Sequence, residues 1–121
     1  MANKVEWLEI IREATNEAGT YKPFFEPVLE TLADILAKRD ETEAIYKKSG
    51  GKPIIAHTNK AGATNLEQNP SLRLINDYNR DALTYWRELG LTPAGLKKIN
   101  DGLTMQKQSG LDKILADLER G

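Results

Sequence analysis

The sequence predicts an all-α fold: a helical hairpin or bundle protomer with a long central helix and an irregular connector. Three observations predict this class. Apolar residues recur at steps of three and four along several stretches, the spacing of helices with one buried face. Capping and breaking residues bound these stretches, and no repeats or low-complexity runs occur. Of the 121 residues, 40% are apolar, which is enough for the core of one compact domain.

The first predicted helix runs roughly from Asn3 to Ala18. Asn3 is its candidate N-cap and Gly19 is its stop. Opposite its apolar stripe lies an acidic face, which consists of Glu6, Glu9, Glu13 and Glu17.

The second predicted helix opens at Tyr21 and extends to the Gly50–Gly51 pair. Its apolar stripe thins beyond Leu36, so a break near residues 40–42 is the alternative to one long helix. We favour the long helix because later apolar residues keep the phase of the stripe. Residues 52–70 then form the connector, in which 52–58 reads as a short extended piece and 59–64 as turn chemistry. A connector of this length indicates a segment that is functional, mobile or held by a neighbouring subunit.

A third helix begins at Asn69 or Ser71 and ends at Gly90, and its apolar seam is unusually regular. The seam consists of Leu72, Ile75, Asn79, Ala82, Trp86 and Leu89. It packs either on its own chain or on another copy. A single Asn within such a seam is a device that fixes register or oligomeric state, and Trp suits an interface anchor, so we predict this seam as an oligomer interface.

The C-terminal region predicts two short helices. Pro93–Ile99 forms the first, and residues 100–102 end it. After a polar stretch, Ser109 caps a short amphipathic helix from Leu111 to Leu118. We therefore divide the chain into a helical domain, residues 1–100, and a C-terminal tail, residues 101–121.

Nothing in the sequence indicates catalysis or metal binding. His57 is the only histidine, and its sequence neighbours offer no partner that would orient a catalytic base. The run Gly50-Gly51-Lys52 is too short for a phosphate loop. Paired carboxylates are interleaved with Lys and Arg, as on a solvated surface. We predict a protein that is not an enzyme, with no catalytic residue, metal or cofactor.

The sequence also predicts a soluble intracellular protein without a membrane partner. It has no cysteine, which fits a reducing compartment. No apolar run approaches the ~20 residues of a membrane span, and acidic residues interrupt the N-terminus where a secretory signal would be apolar.

Positive charge is concentrated in one region of a chain whose net charge is only −1. Residues 1–37 hold three basic and seven acidic residues, a net charge of −4. Residues 38–60 hold six basic and three acidic residues, a net charge of +3. Because Lys and Arg neutralise phosphates, we predict that this second region contacts DNA. Its basic residues are Lys38, Arg39, Lys47, Lys48, Lys52 and Lys60.

Two other interpretations of the charge remain open. Lysines near a helix C-terminus complement the helix dipole without binding any ligand. Arg73, Arg80 and Arg87 lie seven residues apart on one stripe, and they compete as DNA contacts if their helix lines a central channel.

Several sequence elements occur in a recognisable order. An aromatic opening precedes a long helix that ends near Tyr46, a loop containing Gly62 leads to Asn69-Pro70, and the next helix closes as Gly90-Leu91-Thr92-Pro93. The aromatic opening consists of Tyr21, Phe24 and Phe25. In this order and spacing, from about Tyr21 to Asn100, the chain resembles the compact helical small subunits of phage terminases.

The resemblance implies a non-catalytic DNA-recognition subunit of a phage packaging terminase. Such a subunit would bind double-stranded phage DNA as a homo-oligomeric ring and recruit or stimulate the large ATPase and nuclease subunit in the host bacterial cytoplasm. A ring repeats each small basic patch, so phosphate contacts add across subunits. The alternatives are a dimeric helix-turn-helix-type DNA-binding regulator and a helical protein-interaction adaptor that touches no nucleic acid.

The tail carries a separate hypothesis. A helix from Leu111 to Leu118 is too short to be stable alone. We therefore expect it to dock on the ring or to engage the large subunit.

Overall fold

The computed structural model describes residues 2–120, without the side chains of residues 106–109 and 120. It is mostly helical, at 73% of the chain. The elements in order are α1 (Lys4–Ala18), a one-turn 3₁₀-helix (Pro23–Phe25), α2 (Glu26–Lys48), β1 (Ile54–Thr58), β2 (Thr64–Gln68), α3 (Pro70–Glu88) and α4 (Pro93–Arg120).

Local sequence chemistry sets both ends of α1, as predicted. The side chain of Asn3 accepts a hydrogen bond from the backbone N–H of Glu6 at 2.9 Å. Gly19 ends the helix with φ of 75°, a left-handed conformation that favours glycine. The inward face of α1 buries Ile11 and Thr15, and the Thr15 hydroxyl donates to the carbonyl of Ile11 at 2.9 Å. A polar group in the core is thereby satisfied within its own helix.

The prediction of one long central helix is confirmed. At 23 residues, α2 spans roughly 35 Å at about 1.5 Å per residue. Its first half provides the centre of the core, where Leu29, Leu32, Ala33 and Leu36 have no exposed surface.

Helices α1 and α3 both pack along α2 and make little contact with each other. Two adjacent residues of α2 join the three helices. The Trp7 indole donates to Asp40 at 2.8 Å, and the Arg39 guanidinium lies 5.5 Å from the centre of the Trp7 ring. Arg39 also donates to Asn79 of α3 at 3.3 Å. The region beyond Leu36 therefore still packs, but through polar contacts.

The connector is not irregular, and in this segment the all-α prediction was wrong. Strands β1 and β2 form an antiparallel hairpin in which Ile54 pairs with Gln68 and Thr58 with Thr64. The Asn59 side chain organises the loop, since it accepts from the backbone N–H groups of Ala61 and Ala63 at 3.0 Å each. Such an Asx turn closes the hairpin without any contribution from the core.

The predicted cap of α3 is confirmed at Asn69, whose side chain accepts from the N–H of Ser71 at 3.0 Å. Pro70 occupies the first helical position, where its missing N–H has no consequence.

The predicted break after Ile99 was wrong. α4 is one helix of 28 residues, and it continues through Asn100–Gly102 and through Ser109. Glycine ends a helix when it adopts a left-handed conformation, and neither Gly102 nor Gly110 has a positive φ. Each therefore only weakens the helix locally. The helix also crosses the boundary drawn at residue 100 between domain and tail.

Candidate nucleic-acid and assembly surfaces

Three of the predicted DNA-contacting lysines lie together at the far end of the α2–α3 pair. Lys47 and Lys48 occupy the last turn of α2, and Lys52 follows the turn formed by Gly50 and Gly51. We call these three lysines the distal basic cluster. All three are exposed, and within the described residues none of them forms an ion pair with a carboxylate. Their charge therefore faces solvent.

Asn69 fixes the cluster against the start of α3. Its side-chain amide donates to the carbonyl of Lys52 at 3.0 Å, and its backbone N–H donates to the carbonyl of Pro53 at 2.8 Å. Asn69 is buried, and it also caps α3. Through its side chain and its backbone N–H, Asn69 thus joins the segment before β1 to the start of α3.

Lys60 belongs to the same end of the molecule but is separate from the cluster. It lies in the loop between β1 and β2, and a five-residue strand spans roughly 17 Å at about 3.4 Å per residue. Lys60 is exposed there.

The other two predicted cations, Lys38 and Arg39, make contacts within the protomer. Lys38 forms an ion pair with Asp34 at 3.0 Å, and this hydrogen bond raises the pKa of the Lys38 ammonium. Arg39 is only 22% exposed and bonds to Asp40 and Asn79. The structure therefore does not join these two residues to the distal basic cluster.

The hairpin presents one apolar face to solvent. Ile54, Ala56 and Leu66 share this face in the strand register, and Ile54 and Leu66 are 59% and 77% exposed. On the other face His57 lies 3.9 Å from Glu67, and both side chains are largely exposed. Such a contact is weak and does not constitute a catalytic arrangement.

The predicted oligomer seam of α3 faces mainly inward, onto α2. Ile75, Ala82 and Leu89 are buried in the protomer, and Leu72 and Trp86 are half-buried. Asn79 is exposed and is the residue that binds Arg39. At these three buried positions, packing within the chain therefore explains the three-and-four spacing.

The arginine stripe of α3 lies on the opposite side of that helix. Arg73, Arg80 and Arg87 are all exposed. Arg80 approaches Asp77 at 3.7 Å, in a pair that is largely open to solvent. These guanidinium groups are therefore available to a partner.

The C-terminal half of α4 leaves the core. Its apolar side chains Leu111, Ile114, Leu115 and Leu118 lie on one side of the helix, and each is more than half exposed. Nothing in the described part of the protomer covers this stripe.

Among the side chains that the structure describes, no group of three or more His, Asp or Glu is arranged to hold a metal ion. Within residues 2–120, none of the helices combines the length and apolar character required to cross a bilayer.

A comparison with protein families decides the identity. The model of the family described as phage terminase, small subunit, matches residues 3–110 of the 121. The chain belongs to the phage terminase small-subunit family. The match is longer than the stretch from Tyr21 to Asn100 that carried the resemblance, since it includes α1 and the first part of the tail. Neither the curated proteins nor the solved structures gave a significant match.

Membership in the terminase small-subunit family indicates a role in phage DNA packaging inside the host cell. It implies DNA and the large terminase subunit as partners. The small subunit is generally the non-catalytic one.

Sequence reasoning missed two features of this terminase small subunit. The hairpin was one, although two short stretches separated by five residues that include Gly62 are a recognised hairpin signal. The second was the role of Asn69, which was predicted as a cap but not as the anchor of Lys52. No sequence signal indicates that long-range hydrogen bond.

Proposed function

We propose that this terminase small subunit binds double-stranded viral DNA as an oligomeric ring and recruits or stimulates the large subunit. Within each protomer the distal basic cluster makes the phosphate contacts, and Lys60 extends them along the duplex. The observation that carries the DNA assignment is three exposed lysines, without carboxylate partners in the described residues, held at one end of the fold.

A small cluster is sufficient only if it is repeated. Three phosphate contacts from one protomer give weak binding at physiological salt, because each contact adds modestly and competes with counterions. A ring presents the cluster once per subunit, and the contacts then act together on one duplex. DNA binding and assembly are therefore two parts of one proposal.

Native mass spectrometry of the full chain, with and without a duplex, tests both parts together. We expect one closed multimer larger than a dimer, with added mass when DNA is present. A dimer that binds DNA would favour the helix-turn-helix-type regulator. A multimer that ignores DNA at low ionic strength would favour the protein-interaction adaptor.

The exposed stripe of α4 is the proposed contact with the large subunit. Deleting residues 109–121 removes this stripe and leaves every buried core residue in place. We expect the deletion to abolish stimulation of the large-subunit ATPase while DNA binding is retained. Unchanged stimulation would remove this part of the proposal.

A point variant makes the same test without shortening the chain. Leu115→Glu and Leu118→Glu together place charge on the stripe at no cost to the core, since both side chains are exposed. Lys113→Ala, on the other side of the helix, is the matched control and should stimulate normally.

A further inference from the structure

The outward face of α1 is acidic, and the outward face of α3 carries a stripe of arginines beside exposed carboxylates. On α1 the residues that point away from α2 include Glu6, Glu9, Glu13 and Glu17, all exposed. Glutamates four residues apart on one helix repel each other, and within the described residues none of the four forms an ion pair. On α3 one outward stripe is Arg73, Arg80 and Arg87, and the exposed carboxylates of Asp77, Asp81 and Glu88 lie beside it. The α1 face therefore lacks the cations that the arginine stripe provides.

The two surfaces also match in pattern. On α1 an exposed apolar residue, Ile10, lies between Glu6 and Glu13. On α3 Leu83 lies between Arg80 and Arg87 in the same way. Ile10 is 46% exposed and Leu83 48%. In both helices the two charges lie seven residues apart, about 10.5 Å along the axis.

Contacts within the chain fix the positions of these two patterns relative to each other along the helix axes. Arg39 and Asp40 are neighbours on α2, and they contact Asn79 of α3 and Trp7 of α1, respectively. Trp7 and Asn79 therefore lie at nearly the same level along α2. Glu6 precedes Trp7 and Arg80 follows Asn79, so Glu6 and Arg80 lie about 3 Å apart along the helix axes, within the reach of an Arg side chain.

Helices α1 and α3 also run in the same direction. Along α1, Trp7 contacts Asp40 and Arg12 contacts Glu26, so α1 is antiparallel to α2. Along α3, Asn79 lies beside Arg39 in the second half of α2, and Leu89 lies beside Thr20, just past the end of α1. Because the end of α1 lies near the start of α2, α3 is antiparallel to α2 as well. Seven residues beyond Glu6 and Arg80, Glu13 and Arg87 are again offset by a few ångströms, with Arg87 farther along the axis.

We infer that a second copy of this chain docks its α3 stripe against the α1 face of the first, with Glu6 opposite Arg80 and Glu13 opposite Arg87. Copies placed side by side without a shift along the helix axes bring these residues together. A head-to-tail contact of this kind closes into a ring when there is no rise between subunits. The inference rests on the proposed ring, and it names the surfaces that form it.

Charge reversal with cross-rescue tests this interface. The acidic-side variant is Glu6→Lys with Glu13→Lys, and the basic-side variant is Arg80→Glu with Arg87→Glu. Each variant alone places like charges across every interface, so we expect each to lose the multimer by native mass spectrometry at a concentration where the unaltered chain assembles. The four-substitution chain is again complementary, and we expect it to regain the multimer.

Mixing the two variants gives a second measure of rescue. Each acidic-side chain then meets basic-side chains on both flanks, so species that contain both variants in alternation should form. Glu13→Lys places a cation between Glu9 and Glu17, which strengthens α1 itself. Glu6→Lys instead removes a carboxylate that favours the first turn of α1, so circular dichroism must show unchanged helix content before a loss of assembly is assigned to the interface.

A control with the same change of charge is Glu30→Lys with Glu41→Lys, on the exposed side of α2. It should assemble normally. Undiminished assembly of the acidic-side or basic-side variant, or failure of the four-substitution chain to recover, would overturn this interface while leaving the ring itself intact. Loss of DNA binding by Arg80→Glu with Arg87→Glu in a normal multimer would instead assign the stripe to DNA. If the unaltered chain forms no multimer at all, the proposed function fails first.

Discussion

The two halves of α2 differ in the side chains that they bury and expose. From Leu29 to Leu36 the helix buries four apolar side chains completely, and it contacts α1 and α3 through them. From Lys38 to Lys48 the helix contacts its neighbours through polar groups, and charged residues are more frequent. The chain then continues into a hairpin that is almost wholly exposed. The first half stabilises the protomer, and the second half presents charge at its end. Substitutions in the two halves should therefore separate stability from binding.

The largest expected effect is in the core half. Leu32→Ala removes a side chain with no exposed surface and leaves a cavity, so it should lower the free energy of unfolding by about 2–5 kcal/mol. Urea unfolding at fixed protein concentration measures the change. Leu66→Ala, in the hairpin, is the control, and it should change stability by less than about 0.5 kcal/mol. Equal losses would show that the hairpin is part of the core.

The start of α4 should be nearly as sensitive. A Cβ at Gly95 would collide with the backbone carbonyl of Arg87, so Gly95→Ala forces α4 away from the end of α3. We expect a loss of about 1–3 kcal/mol. Gly102→Ala meets no atom within 4 Å and should raise stability by up to about 1 kcal/mol, because alanine favours the helix. Thermal unfolding of the pair checks both signs, and a stabilising Gly95→Ala would contradict the packing described.

A smaller effect is expected at Asn69, where α2 and α3 connect to the hairpin. Asn69→Ala removes the cap of α3 and the bond to the carbonyl of Lys52, at a cost of about 1–2 kcal/mol. Asn69→Ser retains a capping oxygen but has no amide to donate to that carbonyl. Its stability should lie between those of Asn69→Ala and the unaltered chain. If Asn69→Ser were as unstable as Asn69→Ala, the cap would not contribute.

Local chemistry explains which elements the sequence could predict. Asn3, Gly19 and Asn69 act on residues within a few positions of themselves, so the ends of α1 and the start of α3 were readable from the sequence. The hairpin was readable only in part: the five-residue gap with Gly62 is a hairpin signal, but β2 has few β-branched residues and no clear alternation. The continuity of α4 depends on the conformation of Gly102, which residue type alone does not determine.

The candidate site was predictable only in part, for a different reason. Charge counting found the basic region, but it could not tell a lysine with a partner from one without. The pairing of Lys38 with Asp34 is an i, i+4 contact that sequence could have suggested. The contact of Arg39 with Asn79 joins residues 40 positions apart and required the fold.

The smallest effect on stability, and the largest on binding, is expected at the end of α2. The variant Lys47→Ala, Lys48→Ala, Lys52→Ala removes only exposed side chains and should unfold within about 0.5 kcal/mol of the unaltered chain. Its binding to duplex DNA, titrated across a range of salt concentrations, tests the central claim most directly. We expect weaker binding at every salt concentration and a log–log slope that is shallower by about 0.9 for each phosphate that the variant no longer neutralises. A multimer of normal mass that binds DNA with unchanged affinity and slope would contradict the account.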